Sequence, residues 1–323
     1  MAELRFNPFT REWVMVASHR QTRPQMPKDW CPFCPGSGKV PDEGYTVLRY
    51  PNDFPALSVT PPAPDPVATG LFQTAPSYGR CEVILYAPEH NKTLPDLSDA
   101  HVTALACLWR DIFCEMKQDP QIKFVFIFEN RGELVGVTMP HPHGQVYGYS
   151  YLPKKIELEW HAAQDYRADT CRCLFCDALQ EEIRDGRRVV FSNKHFTVYA
   201  PFASAQVYGL HVTANRHVPD LSGLTDVEVA ALGQTLRDVS GLYDALFNKP
   251  FPYMMCMHNA PVNMGDPSCY HFHVEFYPPL RTETVQQFAA SSETGAGAWC
   301  NPQAPEDKAL EMRAAYRRYC DSK

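Results

Sequence analysis

A chain of 323 residues is long enough for one large domain or two of about 150. With 45% hydrophobic and 21% charged residues its composition is that of an ordinary soluble globular protein, and a net charge of −7 leaves no basic footprint for general nucleic-acid binding. The opening MAELRFNPFTREW has no apolar signal core, and no stretch reaches the roughly 18–20 apolar residues that span a bilayer. A cytosolic protein with no nucleic-acid or membrane partner is expected.

In a reducing compartment the twelve cysteines are better read as metal ligands or buried residues than as a disulfide framework. The first pair is CPFC, Cys31 and Cys34. A strand-like CEVILYAPEH (81–90) follows, and a PDLS tetrapeptide leads into a helix. There Ser98 is the expected N-cap, and Val102, Leu105, Leu108 and Ile112 recur at helical spacing. Strand-like KFVFIFEN (123–130) comes next, then MPHPHGQVYGYSYLP (139–153). Pro142 favours a strand start or edge, and strand alternation would put His141, His143 and Gln145 on one face. The charged, helical segment between Tyr151 and Thr170 marks a boundary, giving halves 1–155 and 156–323.

The second half repeats that order. Cys173 and Cys176 in CRCLFC precede YGLHVTANRH (208–217) and a second PDLS. Thr225 and Glu228 have capping-box spacing, followed by Val229, Leu232, Leu236 and Val239 at helical spacing. FPYMMCMHN (251–259) and HFHVEFY (271–277) complete the copy, and a charged helix follows Pro302. The class expected is α+β: two tandem halves of antiparallel strands covered by helices, related by a pseudo-two-fold.

Each copy offers two cysteines, one histidine after a strand, and the first histidine of an HxH pair. The sets are Cys31, Cys34, His90, His141 and Cys173, Cys176, His217, His271. Third and fourth ligands stand 51 residues apart (90 to 141) and 54 apart (217 to 271). Taken alone, a CxxC is as well explained by a buried cysteine pair; the duplication favours tetrahedral zinc, two ions per chain, with another divalent metal left open at the second site. Cys81, Cys107, Cys114, Cys256, Cys269, Cys300 and Cys320 are assigned to packing, and His19, His101, His161, His195 and His211 to surface or core.

If His141 binds metal, His143 is left two positions away as a nucleophile, beside the amide donor of Gln145. An imidazole so placed suits attack on phosphorus, the amide hydrogen-bonding a phosphoryl oxygen. Spacing alone leaves a second reading equally open, a histidine packed on the sheet and bonded to a carbonyl.

The motifs HRQTRP (19–24), CPFC, NDFPAL (52–57), HNKTLPDL (90–97), FENRG (128–132), HPHGQ (141–145) and FYPPLR (276–281) stand in one order. That order resembles the galactose-1-phosphate uridylyltransferase family of the histidine-triad superfamily, from Phe6 to about Glu306. The resemblance implies histidine-triad-like halves and a two-step exchange. His143 attacks the α-phosphorus of UDP-glucose, releasing glucose-1-phosphate, and a hexose-1-phosphate, normally galactose-1-phosphate, then takes the uridylyl group. It further implies that Gln145 contacts the transferred phosphoryl group. Asn52, Asp53 and Asn130 would line the nucleotide pocket, with Arg20 and Arg23 meeting phosphates or uridine. Gly136, Val137 and Thr138 would form a loop against the phosphates, and Glu293 would hold hexose hydroxyls across a homodimer interface.

Two departures from the family pattern stand out. Well-known bacterial members build a second metal site from one glutamate and three histidines; the matching positions here are Glu159, His258, His273 and Glu275, with glutamate replacing a histidine. The intact Cys173/Cys176/His217/His271 set, resembling that of plant-type ADP-glucose phosphorylases, is therefore preferred for the second zinc. Gln287 stands where the family has a lysine near the hexose, which leaves the acceptor sugar open. His273 occupies the nucleophile's place in the second copy, but the carboxylate of Glu275 would repel a phosphoryl group, so one active site is expected. The rival readings are an ADP-sugar phosphorylase, disfavoured by Gly144 where those relatives carry serine, and a non-catalytic zinc scaffold. A single zinc ribbon is disfavoured because Cys34 and Cys173 lie 139 positions apart.

Overall fold

The computed structural model describes residues 2–18, 30–137 and 139–323, so Arg20, Arg23 and Thr138 of the expected site lie outside the described residues. The apolar runs in KFVFIFEN and FPYMMCMHN become β6 (Phe124–Arg131) and β11 (Tyr253–His258). These strands pair antiparallel, Glu129 opposite Met255 and Phe128 opposite Cys256. That seam makes the sheets of the two halves continuous, nine strands in all.

Outward from β6 run β7 (His143–Tyr149), β5 (Gly79–Leu85) and β3 (Leu48–Pro51). Outward from β11 run β12 (His273–Tyr277), β10 (Leu210–Ala214), β9 (Phe196–Tyr199) and β8 (Val189–Ser192). In both directions the HxH strand comes first and the strand before the helix second. The repeat read from sequence is therefore a palindrome in space. A separate three-stranded sheet joins β1 (Ala2–Asn7), β2 (Glu12–Ala17) and β4 (Thr74–Pro76), in the order β2-β1-β4.

Helices α1 (Asp99–Lys117) and α4 (Asp226–Phe247) cover one face of the sheet. Ser98 caps α1 by accepting the His101 amide at 3.3 Å. At α4 the Thr225/Glu228 capping box is formed, and Arg216 donates to both Glu228 oxygens at 2.8 and 2.7 Å. Trp109, Ile112 and Phe113 of α1 and Leu232, Leu236 and Val239 of α4 pack with Val125, Ile127, Met255 and Val274 of the strands. Truncating one such residue to alanine costs roughly 2–5 kcal/mol. Gly233 permits the helices to meet, since a Cβ there would lie 2.4 Å from the Val102 carbonyl oxygen.

The other face receives α2 (Lys154–Thr170), which joins the halves. Its Ile156 packs with Phe124, Tyr147 and Tyr149, and its Trp160 with Tyr270. Helix α3 (Leu174–Asp185) starts on Cys173, and α5 (Pro305–Asp321) packs on α4. No helix among the described residues is long and apolar enough to cross a membrane.

Candidate active site and metal centres

Strand β7 begins at His143, so His143 and Gln145 share its face while His141 lies just before it. Pro142 separates them, and its carbonyl accepts the Tyr86 amide at 2.9 Å. The His141 ring is buried among the first thiol set. Cys31 Sγ and Cys34 Sγ each lie 3.7 Å from His141 Nδ1, and Cys34 Sγ lies 3.4 Å from His90 Nδ1. All four donor atoms lie within 4.8 Å of one another. His141 Nε2 donates to the Ala87 carbonyl at 2.8 Å, which turns Nδ1 inward as a ligand. Burial lowers the His141 pKa to about 4, so the ring stays neutral, as metal ligation requires. Two thiols and two imidazoles at these separations fit tetrahedral zinc.

The second set repeats this geometry. Cys176 Sγ lies 3.2 Å from His217 Nδ1 and 3.5 Å from His271 Nδ1, and His271 Nε2 donates to the Ala214 carbonyl at 2.7 Å. Burial holds His271 at about 4 as well. Its donors also fall within 4.8 Å of one another. The structure thus brings together both sets found in the sequence.

His143 Nδ1 donates to the His141 carbonyl at 2.8 Å. That puts the ring proton on Nδ1 and the lone pair on Nε2. Gln145 Oε1 accepts from the Tyr147 hydroxyl at 3.1 Å, which directs the amide NH2 away as a donor. Two cavities meet at His143. One, of about 100 Å³, is lined by Phe33, Tyr50, Asn52, Asp53, Phe54, His143 and Gln145. The other, of about 280 Å³, is lined by Lys92, Glu129, Asn130, Arg131, Val137, Met139 and His143. Asn52, Asp53, Asn130 and Val137 are therefore gathered around His143. Gly136 ends the turn 133–135 in the left-handed region at φ 81°, a conformation that favours glycine.

Gln287 and Glu293 are not brought to these cavities. The Gln287 side chain accepts the Val207 amide at 3.0 Å and donates to the Ala205 carbonyl at 2.7 Å. Glu293 accepts the Ala290 amide at 3.0 Å.

Glu159, His258, His273 and Glu275 form a third cluster, also within 4.8 Å. His258 Nδ1 faces Glu159 at 2.9 Å, while the Nε2 atoms of His258, His273 and His211 face Glu275 at 3.5, 3.5 and 3.2 Å. Lys155 donates to Glu275 and to the Tyr277 hydroxyl. Burial would raise both carboxyl groups, yet the facing imidazoles, His258 foremost, with Lys155 beside Glu275, hold Glu275 well below its ordinary range and Glu159 at about 2. Two carboxyl groups packed among histidines fill the place that His143 and Gln145 hold in the other half. His211, read from sequence as surface or core, belongs to it.

Sequence reasoning passed over Glu129 and Tyr86. The signal was present in FVFIFEN, where alternation sends the glutamate to the helix-covered face with Val125 and Ile127.

Residues 1–153 match the N-terminal domain of galactose-1-phosphate uridyl transferase, and residues 159–298 match its C-terminal domain. The chain belongs to the galactose-1-phosphate uridylyltransferase family. It is accordingly a nucleotidyltransferase. Galactose-1-phosphate uridylyltransferase of Thermotoga maritima is 38% identical over 97% of this chain and 98% of its own. That of Rattus norvegicus is 32% identical over 96% and 86%. A solved uridylyltransferase structure superposes with TM-score 0.89 at 29% identity, covering 98% of this chain and 99% of that one. The Arabidopsis thaliana ADP-glucose phosphorylase with bound ADP-glucose shares the fold, with TM-score 0.74 at 24% identity over 97% and 98%.

Proposed function

We propose that this uridylyltransferase moves a uridylyl group from UDP-glucose to galactose-1-phosphate through a covalent intermediate on His143. The observation that carries the reading is the 2.8 Å bond from His143 Nδ1 to the His141 carbonyl, beside the outward amide of Gln145. Nε2 attacks the α-phosphorus, the bond to glucose-1-phosphate breaks, and the leaving group departs with the electron pair. The ring keeps its Nδ1 proton and becomes an imidazolium. Gln145 donates to a phosphoryl oxygen as charge develops there. A hexose-1-phosphate reverses these steps, giving UDP-galactose, and one site serves both halves.

Asn52 and Asp53 line the pocket offered to the uridine, and Asn130 and Val137 that offered to the phosphates, with Gly136, Arg20, Arg23 and Thr138 as further contacts. Two zinc ions per chain fit the two Cys2His2 sets; four protein donors make each a structural centre, the first fixing the backbone that carries His143. A homodimer would bring Gln287 and Glu293 of one chain to the hexose of the other. The domain boundary near residue 155 and a cytoplasmic location complete the reading.

Gly144 supports the uridylyl assignment over the phosphorylase one: a Cβ there would lie 2.3 Å from the Tyr86 hydroxyl, so serine does not fit. The test is the intact mass of the protein after brief exposure to UDP-glucose without acceptor, beside His143→Ala. A uridylyl adduct on the wild type alone is expected. An adduct only with ADP-glucose would move the chain to the phosphorylase branch, and none with either would remove His143 as nucleophile.

A further inference from the structure

We propose that Glu129 is the buried counter-charge of His143 while that ring carries the uridylyl group. The inference rests on the covalent reading above and adds to it a group that never touches substrate, a positioning charge rather than a catalytic residue.

Glu129 lies on the helix-covered face of β6, 6% exposed, and lines the same cavity as His143. Its Oε1 accepts from the Tyr253 hydroxyl at 3.1 Å. Its Oε2 is buried without a hydrogen-bond partner, and so is the Tyr86 hydroxyl, with which it interacts. That hydroxyl sits directly beneath the peptide that follows His143, 2.3 Å from where a Gly144 Cβ would be. The carboxyl therefore stands behind the catalytic strand, with no cation among the described residues on its Oε2.

The neighbours do not cancel its charge. Arg131, on the same strand, is the cation acting on it, and that guanidinium is already bidentate to Asp244 of α4 at 2.9 and 2.8 Å. Arg131 also donates to Ser240 at 3.0 Å. Tyr253 from β11 and Tyr86 from the end of β5 face the carboxyl as neutral hydroxyls. The group of Glu129, Arg131 and Asp244 is one negative charge in excess when all are ionised. Burial pushes the Glu129 carboxyl up to about 7, so its charge is not held for stability. A glutamine would accept from Tyr253 equally well.

The reaction supplies the missing cation. When the Nε2–P bond forms and the P–O bond to glucose-1-phosphate breaks, the proton stays on Nδ1, hydrogen-bonded to the His141 carbonyl, and the ring becomes positive. In a water-poor site, a carboxylate nearby lowers the energy of that state and leaves the neutral resting histidine almost unaffected. At pH 8 the carboxylate is already ionised, and no proton has to move.

The readout is the equilibrium of the first half-reaction at pH 8. Glucose-1-phosphate is titrated against fixed UDP-glucose, and the uridylyl adduct is counted by intact mass. The midpoint reports the equilibrium constant and is not moved by an inactive fraction. In Glu129→Gln the ratio of adduct to unmodified enzyme is expected to fall on the order of tenfold. Tyr253→Phe removes a hydrogen bond but keeps the charge, and Glu129→Asp keeps the charge one methylene back; both should stay closer to wild type. If E129Q does not fold, Glu129→Asn against Glu129→Asp makes the same comparison. An unchanged midpoint in E129Q, or equal falls in E129Q and Y253F, would overturn the counter-charge while leaving the covalent step standing. A wild type that forms no adduct would overturn both.

Discussion

His143 donates through Nδ1 to the carbonyl oxygen of His141, 2.8 Å away, so the residue that completes the first thiol set also orients the His143 ring, the proposed nucleophile. His141 is pinned on its far side by the Ala87 carbonyl and the Tyr45 hydroxyl at 2.8 and 3.1 Å. The first candidate metal set and the proposed nucleophile are thus two positions apart on one stretch of backbone.

Removing the first metal should therefore damage chemistry as well as stability. In Cys34→Ser, zinc per chain is expected to fall from two to one, and the single-turnover rate of uridylylation by at least about tenfold. Cys176→Ser should lose one zinc and some thermal stability while keeping a near-native rate. Equal rates in C34S and wild type, by metal analysis and rapid-quench mass measurement, would disprove the link.

Gln145→Ala removes a donor aimed at charge that appears only as phosphorus is attacked. The rate of adduct formation should drop about 100- to 1000-fold, with little change in UDP-glucose affinity. A loss confined to affinity would instead place Gln145 in ground-state binding.

Gly144→Ala forces a methyl group to within 2.3 Å of the Tyr86 hydroxyl and 3.0 Å of the Phe128 carbonyl. Overpacking of this kind costs about 1–3 kcal/mol, so the melting temperature should fall. Combining G144A with Tyr86→Leu should recover part of it. Full stability in the single variant would show that β7 has room to shift.

Glu129 carries the pH prediction. Its folded pKa is raised by burial from 4.5 to about 7, so the folded state holds a proton that the unfolded state has lost between those values. Its contribution to stability is complete below pH 4.5 and is lost as pH rises through 7, at most about 3 kcal/mol. Glu129→Gln cannot ionise. Its melting temperature relative to wild type should rise from pH 5 to pH 8, and a flat difference would contradict the raised pKa. Greater stability at pH 8 with a weaker covalent intermediate would mark a charge kept for function.

The sequence by itself determined the duplication, both Cys2His2 sets, the helix caps at Ser98 and Thr225, and the shared strand face of His143 and Gln145. Each is a local matter of spacing, periodicity or motif order, which the chain carries wherever it folds. His143 and Gln145 face together because extended chain alternates. Tertiary structure alone decided the rest. The β6–β11 seam depends on which strand edges meet, and the edges of KFVFIFEN and FPYMMCMHN carry no address. Resemblance groups Glu159, His258, His273 and Glu275, but His211 joins them only because β10 pairs with β12, setting His211 opposite Glu275, 64 positions on (211 to 275). Glu129 reads as one polar residue in an apolar strand until the fold sets it behind His143, with its neighbouring cation already taken by Asp244. Burial and pairing depend on all the neighbours at once, and those are fixed only when the sheet closes and the helices cover it.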